Sequence, residues 1–490
     1  MDNYSNSSTS VEQLKLCIKL VNAPARSQSL VRTGGTARTS FLPQQVPQLF
    51  VLRSDISALL PADHFAYTVI EAIKQMDLSE VLAKYEGKRG VGRHAYDPHM
   101  MLALIIYCYH EGRKSTRAIE QMAKENIPCR VITGGRTPDH DTIANFLAMH
   151  RQVFDGIFQQ TVVMAERAGL VALDHVAIDG SKVKANASKR KAMSYGRMRK
   201  QIRKLTTEIR ELQKELQLVE KQTDTLSVKN ADYLRQEICF RQERVDTIVL
   251  FKKKLEQRVQ AKAQAKAAEK ARLKERGGRL RQTGKPRKTK PKPEDQINFT
   301  DEESRIMPRS GQFEQSYNAQ TVVDSRAQII VAYDVVQDTN DKRLLEPMLK
   351  QVLRRTGKIP NTGSADAGYF SEESLTCDIA QSIELLVPPD RESHPRKTVR
   401  PVGRIPADLS VAARMRRKLS TRRGKETYAR RKCIVEPVFG QIKESVMDFD
   451  QFSWRGLQNV RCEWALVCAV HNLIKLHRLQ PLKQADLSAA

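Results

Sequence analysis

The spacing of apolar residues divides the chain into regions of different periodicity, and the first is helical. Asp97 is a suitable N-cap, Pro98 fits the first turn of a helix and Gly112 fits its end. Two more helices are predicted in STRAIEQMAKE and TIANFLAMHR, separated by a polar connection that ends in TGGRTPDHD. We therefore predict a helical domain over residues 46–170. It is preceded by an arm over 1–45 that is expected to be disordered, because it is rich in Ser, Thr, Gly and Gln.

Alternating apolar positions first occur in HVAIDGSKV, where a strand is predicted to lead into Asp179 and Gly180. A β-hairpin is predicted over 311–336. It is followed by a helix near 344–355, the stretch NTGSADAGYF, a helix over 371–381 and a strand over 383–387. CIVEPVFGQIKE has helical spacing with its proline early, and a long apolar helix closes the chain from Leu457. This order of strands and helices indicates a mixed α/β sheet.

A long helical segment separates the first strand from the hairpin. Apolar residues recur at alternating steps of three and four, which forms a heptad seam: Ile202, Leu205, Ile209, Leu212, Leu216 and Val219. After the polar break KQTDTLSVKNAD a poorer series resumes at Ile238, so we predict an antiparallel helical hairpin. With a basic, proline-rich linker over 284–293, it forms an insertion over 187–300. The α/β domain then comprises 171–186 and 301–480.

Charge is the unusual feature of the composition. The 83 Lys and Arg residues against 56 Asp and Glu residues give a net charge of +27, which favours nucleic acid over an anionic membrane as the partner. No apolar run approaches the ~20 residues needed to span a bilayer, and no secretory signal is visible. The eight cysteines form no C-x-x-C pair, which argues against a zinc knuckle and a disulfide framework, so a reducing cytoplasm is expected.

The helices before the sheet offer one possible DNA-reading element. Two helices, a turn and a third helix carrying Asn145, His150 and Arg151 fit a helix-turn-helix-like arrangement that contacts DNA. The alternative is a plain helical bundle that packs on the next domain.

Three carboxylates are candidates for catalysis. Asp179 and Asp366 each follow a strand-like stretch and precede a glycine within two residues, and Glu436 lies on a helix after a basic run. If the fold brings these three carboxylates together, they would repel one another unless they shared bound metal. Two Mg²⁺ ions about 3.5–4 Å apart, held by such a set, would support in-line phosphodiester transfer. Taken singly, each aspartate is also compatible with a turn and Glu436 with a solvated helix face. Asp341 is expected to cap the next helix.

Basic residues flank the glutamate. Lys443 follows Glu436 by seven residues, which predicts one shared helix face and a phosphate contact near the metals. Arg430, Arg431 and Lys432 precede Glu436 and are expected to attract the DNA backbone.

These residues resemble the DDE transposases of bacterial insertion sequences, which have an RNase H-like catalytic core. The matching stretches are IDGSKVKANAS, SYNAQTVVD, DAGYF, VEPVFGQIK and WALVCAVHNLIK, and in combination they are highly specific. The helical stretch from DPHMM to AMHR is also similar to the domain that precedes the core in one subgroup. The resemblance covers most of residues 50–480.

The resemblance implies a specific activity and site. Asp179, Asp366 and Glu436 would bind two Mg²⁺ ions, with Mn²⁺ able to substitute. The enzyme would bind terminal inverted repeats and target DNA, cleave and join strands, and act as a homodimer on DNA in the bacterial nucleoid. Lys443 matches the lysine that follows the family glutamate. Tyr428 and Arg431 match the accompanying signature imperfectly, because four residues rather than three separate Arg431 from Glu436.

Other classes of protein stay open at this point. A transposase-derived DNA-binding protein that no longer cuts would share the fold, although the intact carboxylates and Lys443 argue against it. A coiled-coil scaffold that binds nucleic acid would use the heptads, but these occupy a minor part of the chain. A metal-dependent nuclease without joining activity would use the same site.

Overall fold

The structure is a computed structural model that describes residues 59–85, 95–221, 225–275, 290–309, 311–390, 403, 406 and 409–488. The predicted arm over 1–45 lies outside the described residues. Among the helices described, none is both long enough and apolar enough to cross a bilayer.

The described part of the chain begins with a bundle of helices that packs around an apolar core. Their bounds are α1 Phe65–Gln75, α2 Ser79–Ala83, α3 Pro98–His110, α4 Thr116–Glu125, α5 Ile127–Thr133, α6 His140–His150 and α7 Val153–Arg167. The Asp97 carboxylate caps α3 by accepting the His99 N–H at 2.8 Å, as its position predicts. The polar connection after α4 was predicted to lack a helix, but it contains α5. The Asn126 side chain caps α5 by accepting the Cys129 N–H, and a proline fits its first turn.

A mixed sheet follows. Its strands are β1 His175–Lys184, β4 Arg305–Arg309, β5 Gln312–Asp324, β6 Ile330–Val336, β7 Thr362–Ala365 and β8 Glu384–Leu386. The spatial order is β4-β5-β1-β7-β8, and β6 also pairs with β5. β1 is antiparallel to β5 and parallel to β7, and β7 is parallel to β8. The prediction of an α/β fold with an RNase H-like mixed sheet is confirmed.

Helices surround this sheet and complete its core. They are α10 Leu345–Thr356, α11 Glu372–Leu375, α12 Asp378–Gln381, α13 Val411–Ser420, α14 Arg422–Gly440 and α15 Leu457–Ser488. The single helix predicted over 371–381 is thus two short helices. α15 begins at the predicted residue and carries Trp464, which is fully buried and donates its indole N–H to the Gln320 carbonyl at 3.2 Å.

The position of Pro437 in its helix differs from the prediction. It was expected early, but α14 begins at Arg422, so Pro437 lies in the last turn. Because proline has no N–H, it cannot bond the Cys433 carbonyl one turn before it. The Gln328 side-chain amide donates to that carbonyl at 2.9 Å instead. After α14 the chain continues into a π-helical turn, Gln441–Ser445.

The insertion is a helical hairpin with a core of its own, as predicted. The helices α8 Tyr195–Val219 and α9 Thr225–Glu275 pack against each other. The second helix begins inside the predicted polar break. Short strands β2 Ala192–Ser194 and β3 Gln296–Asn298 pair at the base of the hairpin. The buried residues of its core are Met198, Leu205, Ile209, Val245, Ile248, Leu255 and Ile297. Of the predicted heptad seam, Leu205 and Ile209 are therefore buried within one chain, whereas the other four seam residues are half-buried.

Candidate active site

Two neighbouring parallel strands place Asp179 and Asp366 side by side, but only Asp366 lies at a strand end. The strand predicted to lead into Asp179 does not end there, because β1 continues to Lys184 and stays paired with β5. Ile178 of β1 pairs with Ala365 of β7, and each of these residues is followed directly by the aspartate. Since adjacent strands lie about 4.8 Å apart, the two carboxylates occupy equivalent positions at one place in the sheet.

Two glycines allow this close strand packing. A Cβ at Gly363, in β7, would lie 2.8 Å from Leu385 Cδ2 in β8. A Cβ at Gly180, the residue after Asp179, would lie 2.0 Å from Gln320 Nε2 in β5. An added Cβ at either position would force the neighbouring side chain to shift, so Gly363 allows β7 to pack closely against β8 and Gly180 allows β1 to pack closely against β5.

Asp179 is held in a mostly buried position between two donors. Its Oδ2 accepts from Arg431 Nη1 at 3.1 Å, and its Oδ1 accepts the Gly180 N–H at 2.8 Å. Burial raises the pKa of Asp179 to about 6, and the charge of Asp366 acts in the same direction, while Arg431 and the Gly180 N–H oppose the rise. A bound cation would therefore offset a charge that the fold leaves only partly compensated.

Asp366 begins a short turn that buries an aromatic residue. Its Oδ1 accepts the Gly368 N–H at 2.9 Å and caps the turn Ala367–Tyr369. Tyr369 is fully buried. Burial raises the pKa of its phenol, and so do the negative charges of Asp341, Asp179 and Asp366. All three carboxylates thus lie near this ring.

Glu436 reaches the same region from α14. Its side chain is 56% exposed, and Oε1 lies 4.0 Å from Arg431 Nη2. The Arg431 guanidinium is therefore in contact with Asp179 through one nitrogen and near Glu436 through the other. Within the part of the chain that the structure describes, no three His, Cys, Asp or Glu side chains already converge as a metal site. The donor set nevertheless fits hard divalent cations, because Asp179, Asp366 and Glu436 supply carboxylate oxygens.

The three basic residues before Glu436 differ in their exposure to solvent. Arg431 is buried, whereas Arg430 and Lys432 are exposed. The Tyr428 ring centroid lies 6.0 Å from the Arg431 guanidinium carbon, which indicates a cation–π contact. Arg431 therefore contacts Asp179 even though its spacing from Glu436 departs from the family signature.

Lys443 lies in the π-helical turn and not on a regular α-helix shared with Glu436, so the predicted seven-residue face does not describe its position. Its Nζ donates to Ser181 Oγ at 2.5 Å and to the Lys182 carbonyl at 3.4 Å. Burial lowers the pKa of Lys443 to about 8, and the nearby positive charge of Arg309 contributes. Lys443 and Arg309 line a cleft of about 610 Å³.

A polar network beside the carboxylates was missed in the sequence. Asp341 was expected to cap a helix, but its side chain does not cap α10. Its Oδ1 accepts from Asn318 Nδ2 at 2.6 Å and from Gln320 Nε2 at 2.9 Å, and it lies 3.6 Å from Lys182 Nζ. The Tyr369 hydroxyl donates to Gln320 Oε1. The signal in the sequence was the pair of amide side chains two residues apart, which places both on the same face of β5.

The helix α6 presents only part of the predicted DNA-reading surface. Asn145 is exposed. His150 is fully buried, where its Nε2 lies 3.0 Å from the Tyr85 hydroxyl, so its expected contact with DNA is wrong. The Arg151 guanidinium lies 5.9 Å from the centroid of the Trp454 ring. Arg151 is half-buried beside this ring and keeps part of its surface exposed.

Comparison with known protein families gives two matches. A family described as "Transposase DDE domain" matches residues 281–473, which include Asp366, Glu436 and Lys443 but not Asp179. A family described as "Transposase domain (DUF772)" matches residues 54–148, a range that includes the helices α1 to α5. No curated protein and no solved structure gave a significant match to the chain. Both matched families are transposase domains, and the one over residues 54–148 precedes the one over residues 281–473. These matches agree with the resemblance that the sequence motifs indicate. The chain belongs to the DDE transposases of insertion sequences.

Proposed function

We propose that this transposase binds the terminal inverted repeats of its insertion sequence and catalyses Mg²⁺-dependent strand cleavage and strand transfer. The observation that carries the proposal is the placement of Asp179 and Asp366 at neighbouring positions of the parallel strands β1 and β7, with Glu436 on the helix whose Arg431 contacts Asp179. Carboxylates that come together from three separate elements fit a two-metal phosphodiester site.

Asp179, Asp366 and Glu436 would hold the ions through their oxygens. Two bound Mg²⁺ ions, or Mn²⁺ in their place, supply activation of a water or 3′-hydroxyl and stabilisation of the leaving oxygen. Asp366 is positioned by its bond from the Gly368 N–H, and Asp179 by its bond from the Gly180 N–H. These contacts fix the carboxylates before substrate binds, which reduces the reorganisation needed for catalysis.

The DNA backbone would be held by cations around these carboxylates. Arg430 and Lys432 are exposed next to Arg431, and Lys443 is fixed at β1 by Ser181. Each phosphate contact made by such residues adds affinity that falls with salt. Tyr428 would support Arg431, and Asn145 and Arg151 of the helical domain are the proposed contacts outside the core.

The same proposal covers assembly and location. Two transposon ends must be held together for strand transfer, so a homodimer on DNA is the expected active form. The expected setting is the nucleoid of a bacterial cytoplasm. A DNA-binding relic that no longer cuts is the second candidate, and the intact carboxylate set argues against it.

The test is cleavage of a labelled duplex that carries the element's terminal repeat and flank, with Mg²⁺. Wild type should cut at the repeat boundary, and Asp366→Asn should lose at least about 100-fold in rate, since even partners one step removed from a metal cost 10–100-fold. Glu373→Gln, at an exposed carboxylate nearby, is the matched control. Binding without cutting by wild type would favour the relic, and equal cutting by Asp366→Asn would remove that residue from the site.

A further inference from the structure

A second concentration of positive charge lies away from the carboxylates, between the insertion and the sheet. A cleft of about 920 Å³ separates α9 from β4, the end of β6 and the start of α15. Five basic and three acidic side chains line it: Arg258, Lys262, Lys266, Arg305, Arg461, Glu294, Asp295 and Asp338.

Arg258 has an unused donor in this cleft. Its Nη2 donates to the Gln296 carbonyl at 2.6 Å, whereas Nη1 is buried and has no hydrogen-bond partner among the described residues. Burial lowers the pKa of Arg258, and the adjacent positive charge of Arg305 acts in the same direction. The nearby carboxylate of Asp295 opposes this shift, and a guanidinium stays charged at neutral pH, so the unpaired donor belongs to a charged group.

Arg305 is fixed beside it. Its Nη1 donates to the carbonyls of Glu302, Glu303 and Ser304, and its Nη2 donates to Gln337 Oε1 at 2.8 Å. These bonds use its donors within the protein and hold its charge in place. The cleft therefore brings together the fixed guanidinium of Arg305 and the guanidinium of Arg258, which has an unpaired donor. Such a pair of guanidinium groups is suited to binding a phosphate oxygen.

The insertion is attached firmly enough to hold Arg258 there. Lys254, one helical turn before Arg258, pairs with Glu302 at 2.6 Å, and the rings of Phe251 and Phe299 stack at 4.4 Å. The hydrophobic and ionic contacts thus orient this face of α9 towards the core.

Neighbouring strands connect the cleft to the proposed catalytic carboxylates. Gln337 directly follows Val336, which pairs with Asn318, and Asn318 pairs with Lys182, three residues after Asp179. DNA that crosses these strands could therefore contact both places.

We propose that the cleft headed by Arg258 and Arg305 binds a backbone phosphate of the DNA on which the transposase acts, so that the insertion clamps DNA against the catalytic core. This inference rests on the proposed function only in taking DNA as the substrate. The phosphate bound in the cleft could come from a DNA backbone or from a free phosphate ion, and the experiment below distinguishes these two sources.

The test compares full-length wild type with Arg258→Gln in binding a labelled duplex by fluorescence anisotropy, without divalent metal, between about 50 and 200 mM salt. Arg258→Gln should weaken binding about tenfold, and the slope of log affinity against log salt should fall by about 0.9, as for one lost phosphate contact. Lys253→Gln removes the same charge from an exposed position on α9 and should leave the slope nearly unchanged.

Several outcomes would overturn the inference. One is an equal slope of log affinity against log salt for wild type and Arg258→Gln. Another is an equal loss of DNA affinity for Arg258→Gln and Lys253→Gln. Stabilisation of wild type but not Arg258→Gln by inorganic phosphate, with no change in the DNA slope, would assign the cleft to a free anion. Lys262→Gln serves as a second variant should Arg258→Gln melt early. Failure of wild type itself to bind DNA would contradict the proposed function instead.

Discussion

Arg431 Nη1 lies 3.1 Å from Asp179 Oδ2, although the two residues are 252 positions apart in the chain. The helix α14 supplies the cation and the first strand of the sheet supplies the anion. Arg431 is buried, and its Nε has no hydrogen-bond partner among the described residues. In the metal-free protein this guanidinium is the nearest compensating charge for a carboxylate that we assign to metal binding, and this assignment has measurable consequences.

The first prediction concerns pH and the Asp179 carboxyl. Its pKa is about 6 in the folded protein against an ordinary value of 3.8, so the native state retains a proton that the unfolded chain releases. Stability is therefore unaffected below about pH 4 and falls as pH rises towards 6. Asp179→Asn should be more stable than wild type above pH 6, by at most about 3 kcal/mol, with the difference vanishing near pH 4.

Urea unfolding without divalent metal at a series of pH values measures this effect. Asp174→Asn, which removes a carboxylate at an exposed position just before the same strand, is the matched control. A difference between Asp179→Asn and wild type that does not change with pH would contradict the prediction.

The second prediction concerns competition between Arg431 and metal. Removing a positive charge from beside a metal ligand strengthens cation binding, because the repulsion between the two cations is lost. Arg431→Ala should bind Mn²⁺ in the absence of DNA about tenfold more tightly than wild type, whereas Arg431→Lys should lie between them.

Isothermal titration of the purified full-length variants with Mn²⁺ gives these affinities without any need for catalysis. Weaker binding by Arg431→Ala would mean that the guanidinium orients the carboxylates and does not compete with the ion.

The third prediction concerns Lys443. Its pKa of about 8 means that the free protein loses this charge as pH rises from 7 to 9. If Lys443 binds a phosphate, its contribution to DNA affinity should fall about tenfold over that interval. Lys443→Arg should hold its charge and bind with little pH dependence.

Anisotropy at constant salt measures the affinities. Lys432→Arg is the matched control at an exposed lysine in the same region, and it should follow the wild-type pH profile. The assignment would be wrong if Lys443→Arg kept the full wild-type pH dependence.

The fourth prediction concerns the glycine that admits the strand before Asp366. Gly363→Ala would force a Cβ to within 2.8 Å of Leu385 Cδ2, so the free energy of unfolding should fall by about 1–3 kcal/mol. Gly156→Ala, inside α7 with no heavy atom within 4 Å of the added Cβ, should be neutral or stabilising by up to about 1 kcal/mol. Denaturant unfolding of both variants provides the comparison, and equal effects would contradict the packing argument.

Much of the site could be located by local pattern. Asp179 follows the apolar residues Val176 and Ile178 that predicted β1, and Asp97 caps its helix as expected. β1 nevertheless continues to Lys184, and the strand before Asp366 is small and polar. The hairpin insertion was predictable because a heptad seam depends only on the spacing of apolar residues. Such features depend on interactions between residues that are close in sequence.

Other features could not be predicted in this way. The helical connection after α4 depends on the cap at Asn126, whose signal is short. The start of α14 was predicted too late, so Pro437 was expected at the wrong end. The bond that compensates for the proline comes from Gln328, more than 100 residues away. His150 is polar and yet buried, because Tyr85 supplies its hydrogen-bond partner.

The sequence by itself determined the charge of the protein, the periodicity of its helices and strands, and the residue types available for catalysis. The tertiary structure decided which of these residues meet. Strand register places Asp179 beside Asp366, α14 brings Arg431 to Asp179, and α9 brings Arg258 to Arg305. The physical reason is that periodicity and capping are local properties of a chain, whereas electrostatic contacts depend on distances that only the packing of remote segments sets.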